Sequence, residues 1–273
     1  MKIFTFFLFC LPLSFFSQNM RFTYNYKVVS DTLKKNVVSN EIVVLDFYNK
    51  DQRSVFTGLK HIISDSTMTE DSKKGIMSFP DASAKVRYVV EKISNRNLIY
   101  FYTPNHMQDA VLKVNDERKM KWEITNEHEN ILGYQTQKAT TFFAGRQWTA
   151  WFTNEISIPD GPYKFHGLPG LILKISDRTN THSFEIISVQ KQKSNYFILN
   201  DETYKDAKKI TLKEYEKIPK NPFEQFKIKL LRDGVFHSNE ERQKFLKDID
   251  AQIEESKIHD NNPIEFYIKN DEI

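Results

Sequence analysis

The 273 residues carry 39 Lys and Arg against 36 Asp and Glu, a formal charge of +3, so nothing in the charge balance calls for nucleic acid or an anionic membrane as partner. The one cysteine, Cys10, lies inside a leader-like segment; without that segment the chain has no thiol for a disulfide, a thiolate metal site or a cysteine nucleophile. An aromatic content of 14%, with 22 Phe and 12 Tyr, favours packed strands over a charged helical bundle.

Met1-Lys2 opens the chain, an apolar run follows from Ile3 to Phe16, and polarity returns at Ser17-Gln18-Asn19. This is the layout of a signal peptide over 1–17, too short to span a bilayer, with cleavage expected between Ser17 and Gln18. Phe9 stands before Cys10 where a lipid-anchor signal has a small residue, so no lipid anchor is expected. Residues 18–273 then form one domain, long enough for a sizeable core.

Phe22, Tyr24, Tyr26 and Val28 alternate with polar residues, the period of a half-buried strand. Glu41 to Tyr48 and Arg53 to Thr57 flank the polar turn Asn49-Lys50-Asp51-Gln52 and read as a hairpin. Ile63 to Ser83 is polar, holds Gly75 and Pro80, and is expected to be a surface loop. Lys85 to Ile93 and Leu98 to Thr103 predict a second hairpin. Strands are also expected around Trp122, over Ile131 to Phe143, around Trp148 and Trp151, over Leu171 to Ile175 and over Ser183 to Val189.

Beyond Asn200 the period becomes helical. Thr211 with Glu214 forms a capping box, Asn221-Pro222 opens a second helix that Gly234 stops, and Ser238 with Glu241 opens a third. Strands followed by helices predict a β-rich α+β fold, a curved antiparallel sheet with C-terminal helices packed on it.

Gly167-Leu168-Pro169-Gly170-Leu171-Ile172 spells the hexapeptide that gives the GLPGLI family its name. The segment around it is similar to that family in Gly133-Tyr134, Lys138-Ala139-Thr140, the Gly145 to Thr153 strand and Gly161 to Phe165. Thr136 and Ser157 depart from the family pattern. The resemblance implies an exported protein of Bacteroidota and brings no activity with it.

Gly161, Pro162, Gly167, Pro169 and Gly170 fall within ten residues and fix a tight chain path into the next strand. Two readings of this path stand side by side. It is a pair of turns that feeds the strand, or a loop, with Gly161, Pro162, Tyr163, His166, Gly167, Leu168, Pro169 and Gly170, that meets a ligand or partner. His166 has Asp160, Glu155, Arg146 and Lys164 nearby in sequence, but no hydrolase, zinc, P-loop or dinucleotide motif is present. The seven histidines are scattered without ligand spacing, so neither metal nor cofactor is expected. Trp148 and Trp151, three apart, point to opposite faces of a strand.

These observations predict an exported protein of the periplasm, outer-membrane surface or medium. The first reading is a non-enzymatic binder of an apolar ligand or of a partner such as an outer-membrane or envelope protein. The alternative is an exported hydrolase acting on peptide, glycan or ester bonds.

Overall fold

A computed structural model describes residues 19–81, 83–192 and 198–266, so the expected signal segment and its cleavage point lie outside the described residues. Twelve strands form one open, curved sheet: β1 (Met20–Val28), β2 (Ser39–Tyr48), β3 (Arg53–Gly58), β4 (Val89–Ile93), β5 (Leu98–Asn105), β6 (Ala110–Asn115), β7 (Glu123–Ile131), β8 (Tyr134–Phe143), β9 (Arg146–Thr153), β10 (Leu171–Asp177), β11 (His182–Lys191) and β12 (Lys208–Thr211). Their order across the sheet is β12-β6-β5-β4-β3-β2-β1-β11-β10-β9-β8-β7. All neighbours are antiparallel except β12, which adds to β6 in parallel. The helices are α1 (Leu59–Lys73), α2 (Glu202–Lys205), α3 (Leu212–Glu216), α4 (Pro222–Asp233) and α5 (Asn239–His259). Among the described residues no helix is long and apolar enough to cross a membrane.

The alternation in β1 sends Phe22, Tyr24 and Tyr26 into the main core, where they meet Val43, Leu45, Phe56, Trp148 and Phe184. Trp148 is buried and Trp151 is not, as their spacing requires. The other face of β3 to β5 carries a smaller core of Val55, Val89 and Tyr102, covered by Ile198, Tyr204 and Ile62.

The helix caps lie where the residues place them. Thr211 and Glu214 exchange both capping bonds, Asn221 accepts from the amides of Phe223 and Glu224, Gly234 closes α4 in the left-handed conformation, and Ser238 accepts from Glu241.

Three expectations need correction. Of the polar stretch Ile63 to Ser83, the part up to Lys73 is the body of α1, a helix with no buried residue whose weak amphipathicity conceals it, and the described residues beyond Lys73 form the expected loop; Ile62 and a 2.7 Å hydrogen bond between His61 and Tyr204 attach the helix to the smaller core. Lys85 to Tyr88 do not extend β4, because Glu41 draws the Lys85 and Val86 amides away from the sheet at 2.5 and 3.2 Å. The single run from Ile131 to Phe143 is a hairpin arm: Leu132-Gly133, both at positive φ, turn the chain between β7 and β8.

Candidate functional site

The connection from β9 to β10, which holds the hexapeptide, does not stand out from the sheet. It folds onto the sheet, and Tyr163, Phe165 and Leu168 complete the main core at 2%, 0% and 1% exposure. Gly161, Pro162 and Gly170 are buried with them, while His166 is half-buried and only Gly167 and Pro169 are exposed. Gly167 sits in open space at φ +89°, whereas Gly170 has no room for a side chain: a Cβ there would stand 2.7 Å from the Thr153 carbonyl carbon and overlap its oxygen. The hexapeptide thus brings two backbones into direct contact.

Such a connection buries backbone carbonyls, and a charge from a distant strand satisfies them. Lys92 of β4 donates to the carbonyl oxygens of Gly161, Tyr163 and Phe165 at 2.5, 3.0 and 3.3 Å and pairs with Asp160 at 2.5 Å. Burial pulls the Lys92 ammonium below the usual lysine range, against the opposing pull of Asp160. Lys164 lies 2.9 Å from both Asp116 and Glu265, and Arg118 closes the square at 2.6 and 2.9 Å. Burial alone would raise the Asp116 carboxyl, but the Arg118 hydrogen bond and the Lys164 charge outweigh it and hold the carboxyl well below its ordinary range. These carboxylates, engaged and enclosed, are no proton-transfer pair for a substrate.

His166 donates from Nδ1 to the Lys164 carbonyl at 2.9 Å, and its own carbonyl accepts from the Trp122 indole at 2.8 Å. Burial lowers its basicity. The neighbours that sequence placed beside it are dispersed. Asp160 faces Lys92, Lys164 faces Asp116, Arg146 pairs with Asp177 at 3.0 Å, and Glu155 accepts from the Gln135 amide. Among the described residues no group of His, Cys, Asp and Glu is gathered closely enough to hold a metal ion.

An open site lies elsewhere, between the end of β1, the 84–88 segment and the chain that follows α5. Two adjoining pockets of about 250 Å³ each share Ser30, Lys85 and Asp260. The inner pocket is lined by Tyr26, Val86, Tyr88, His182, Asn262 and Ile264 among others; the outer one by Asp31, Lys34 and His259. Its floor is a hydrogen-bonded relay. His182 faces the Asn262 carbonyl at 3.1 Å, an acceptor only, so Nε2 carries the proton and Nδ1 accepts from the Tyr26 hydroxyl at 2.7 Å. Burial and the Arg146 charge push His182 down to about 4 and keep it neutral. At the outer end His259 Nδ1 donates to Asp31 at 2.9 Å, a bond that lowers the Asp31 carboxyl and leaves His259 Nε2 as the basic atom of the dyad. Sequence reasoning missed this groove, since its members come from four separated stretches and share no motif.

Residues 59–217 match the model of the family described as "N-glycanase peptide, N-terminal domain". Two solved chains described as structures of PNGF-II, in the P21 and C2 space groups, share the fold with TM-scores of 0.51 and 0.50 at 18% and 19% identity. Each alignment covers 74% of this chain and 33% or 32% of the solved one, so this chain spans about a third of their length. At that identity the likeness concerns the fold alone. No curated protein matches the sequence. The family that the hexapeptide suggests is not the one whose model matches. The reading as a non-enzymatic binder of an apolar ligand or partner is overturned by the glycanase match, which accords with the alternative of a hydrolase acting on glycan bonds. The structure supplies a physical reason: the main apolar face of the sheet is already covered by Tyr163, Phe165 and Leu168 of the chain itself.

Proposed function

This chain belongs to the N-glycanase peptide, N-terminal domain family, and from that premise we propose that it works in the hydrolytic removal of N-linked glycans from glycoproteins. The observation that carries the reading is the family match over 59–217, which takes in everything from α1 to α3 and more than half of the chain. The groove beside Tyr26 suits the reading better than the buried hexapeptide connection, because it is open to a macromolecular substrate and offers proton-transfer groups. His259, oriented by Asp31, is the general acid or base of this proposal; hydrolysis of a glycan linkage needs a proton delivered to the leaving group and one taken from water. The proposal places the protein outside the cytoplasm, in the periplasm, at the outer surface or in the medium, where glycoproteins would meet it and where the leader-like residues 1–17 would direct it.

The test is incubation of the purified chain with a denatured glycoprotein, with released glycan labelled and counted by mass spectrometry. Release by the parent chain and a fall of roughly 100-fold or more in His259→Ala are expected, the usual weight of a general acid or base. Absence of release by the parent chain would refute the proposal. Release that survives intact in His259→Ala would remove His259 from the chemistry.

A further inference from the structure

We infer that two paired hairpin tips, at the end of the sheet away from the groove, form a binding site for a tetrahedral oxyanion, a phosphate or sulfate group, held by Lys50, Arg53 and Arg96. The tips share one backbone form. Asn49–Asp51 and Ser94–Arg96 are 3-10 turns, closed by Gln52 and Asn97 at φ 49° and 51°. Arg53 pairs with Ile93 across the β3–β4 ladder, and the Ser94 amide donates to the Gln52 carbonyl at 2.9 Å, so the two turns stand side by side. Between them lies a pocket of about 250 Å³ lined by Lys50, Asp51, Arg53, Ile93, Asn95 and Arg96, in which three cations face one carboxylate. A protein surface that gathers like charges in one concavity gains by receiving a counter-ion there.

The surplus charge is not cancelled by the buried carboxylate next to it. Glu91 Oε1 lies 3.3 Å from Arg53 Nε, but Glu91 Oε2 already accepts from the Lys113 ammonium at 3.2 Å and the Tyr102 hydroxyl at 2.7 Å. This network orients the Arg53 guanidinium and leaves the site positive. Lys50 and Arg96 are exposed and make no ion pair among the described residues. The first tip is braced by Gln52, whose side-chain amide donates to the Asn49 carbonyl at 2.8 Å. A guanidinium fork presents paired donors to two oxygens of one anion, and an ammonium adds a point charge for a third oxygen, which phosphate and sulfate have and a carboxylate lacks. The site stands apart from the glycanase reading and does not rest on it. Ser39 at one end of β2 lines the outer pocket of the groove and Tyr48 at its other end pairs with Arg53, so the length of that strand, about 30 Å, separates the two.

The test is titration of the purified, isotopically labelled chain with inorganic phosphate, inorganic sulfate and phenyl phosphate, read from its amide NMR shifts, with acetate as the carboxylate control. Saturable shifts centred on the two tips are expected, with Kd on the order of 1 mM for phosphate and binding of acetate at least about tenfold weaker. Lys50→Ala and Arg96→Ala should each weaken phosphate about fivefold, and Lys50→Glu/Arg96→Glu should abolish binding, all at unchanged melting temperature. Lys35→Ala, an exposed lysine in the β1–β2 connection at the far end of the sheet, should leave binding untouched. Phenyl phosphate bound as well as inorganic phosphate assigns the site to esterified groups on a larger molecule; inorganic anions bound alone assign it to the free ion. No shift at roughly 10 mM, acetate bound as tightly as phosphate, or binding retained by the double charge reversal would overturn the inference. Glycan release keeps the two readings apart. Anion binding without release by the parent chain refutes the glycanase proposal and spares this site; release without anion binding does the reverse.

Discussion

Lys92→Met offers the strongest test of how the connection between β9 and β10 is held. The substitution keeps most of the aliphatic stem and removes the ammonium, which is 3% exposed and joins one carboxylate and three backbone carbonyls. Asp160 would be left buried with only the Gly161 amide on Oδ1 at 2.7 Å, since its Oδ2 already lacks a partner among the described residues. Stranding one member of a buried pair costs about 3–5 kcal/mol. The orphaned carbonyls push toward the upper end, each worth about 1 kcal/mol or more. In a chain of this size that corresponds to a fall of roughly 6–20 °C in melting temperature. Urea denaturation followed by circular dichroism measures it, and Lys92→Met/Asp160→Asn completes the cycle. Neutralising Asp160 should return at least about 1 kcal/mol of the loss, because the charge itself is part of the penalty. A loss under about 1 kcal/mol in the single variant, or strict additivity in the double, would refute the account of Lys92 as the pin of this connection.

Gly170→Ala should cost about 3 kcal/mol or more, since its Cβ meets the Thr153 backbone, while Gly75→Ala, in open space at φ +72°, should cost about 1 kcal/mol; denaturation midpoints that rank them otherwise would contradict the contact. Acid should destabilise the protein before the carboxylates titrate. His182 binds its proton near 6.5 when unfolded and only near 4 when folded, so stability is complete above 6.5 and falls between those values, by about 2 kcal/mol at pH 5. Burial pushes His61 down to about 4 as well, so stability curves at pH 7 and 5 read both histidines, and His182→Gln should remove about half of the difference. Exhaustive chelation should leave the melting temperature unchanged, and a large drop would mean that ligands from separated elements converge on a metal.

Local signals in the sequence carried the local structure. The alternation of Phe22, Tyr24 and Tyr26 and the capping pairs at Thr211, Asn221 and Ser238 are each decided within a few residues, and each is realised. Elements whose signal comes from elsewhere were not legible. α1 has no apolar stripe, β12 is a four-residue strand of Lys208-Lys209-Ile210-Thr211 that exists by pairing with β6, and β6 itself was not anticipated between the turns that bound it. The Gly and Pro cluster at 161–170 announced a tight path. Its destination on the sheet depended on Lys92, whose three carbonyl partners lie 69 to 73 positions further along the chain. The groove was harder still: Tyr26 and His182 are 156 positions apart, and no spacing rule joins them.

The place of β1 in the middle of the sheet governs the order in which the molecule can assemble. β2 to β6 form one meander of near neighbours and β7 to β11 another, and among the described strands the ladders that join them run through β1, which pairs with β2 on one side and with β11, from Met20 opposite Lys191 to Val28 opposite His182, on the other. A chain made from its N-terminus therefore presents β1 early, with one edge zipped to β2 and the other bare until nearly two hundred residues have emerged. Closing so long a loop is entropically slow, and in the interval the bare edge, with Phe22, Tyr24 and Tyr26 along it, is a template for any extended strand nearby.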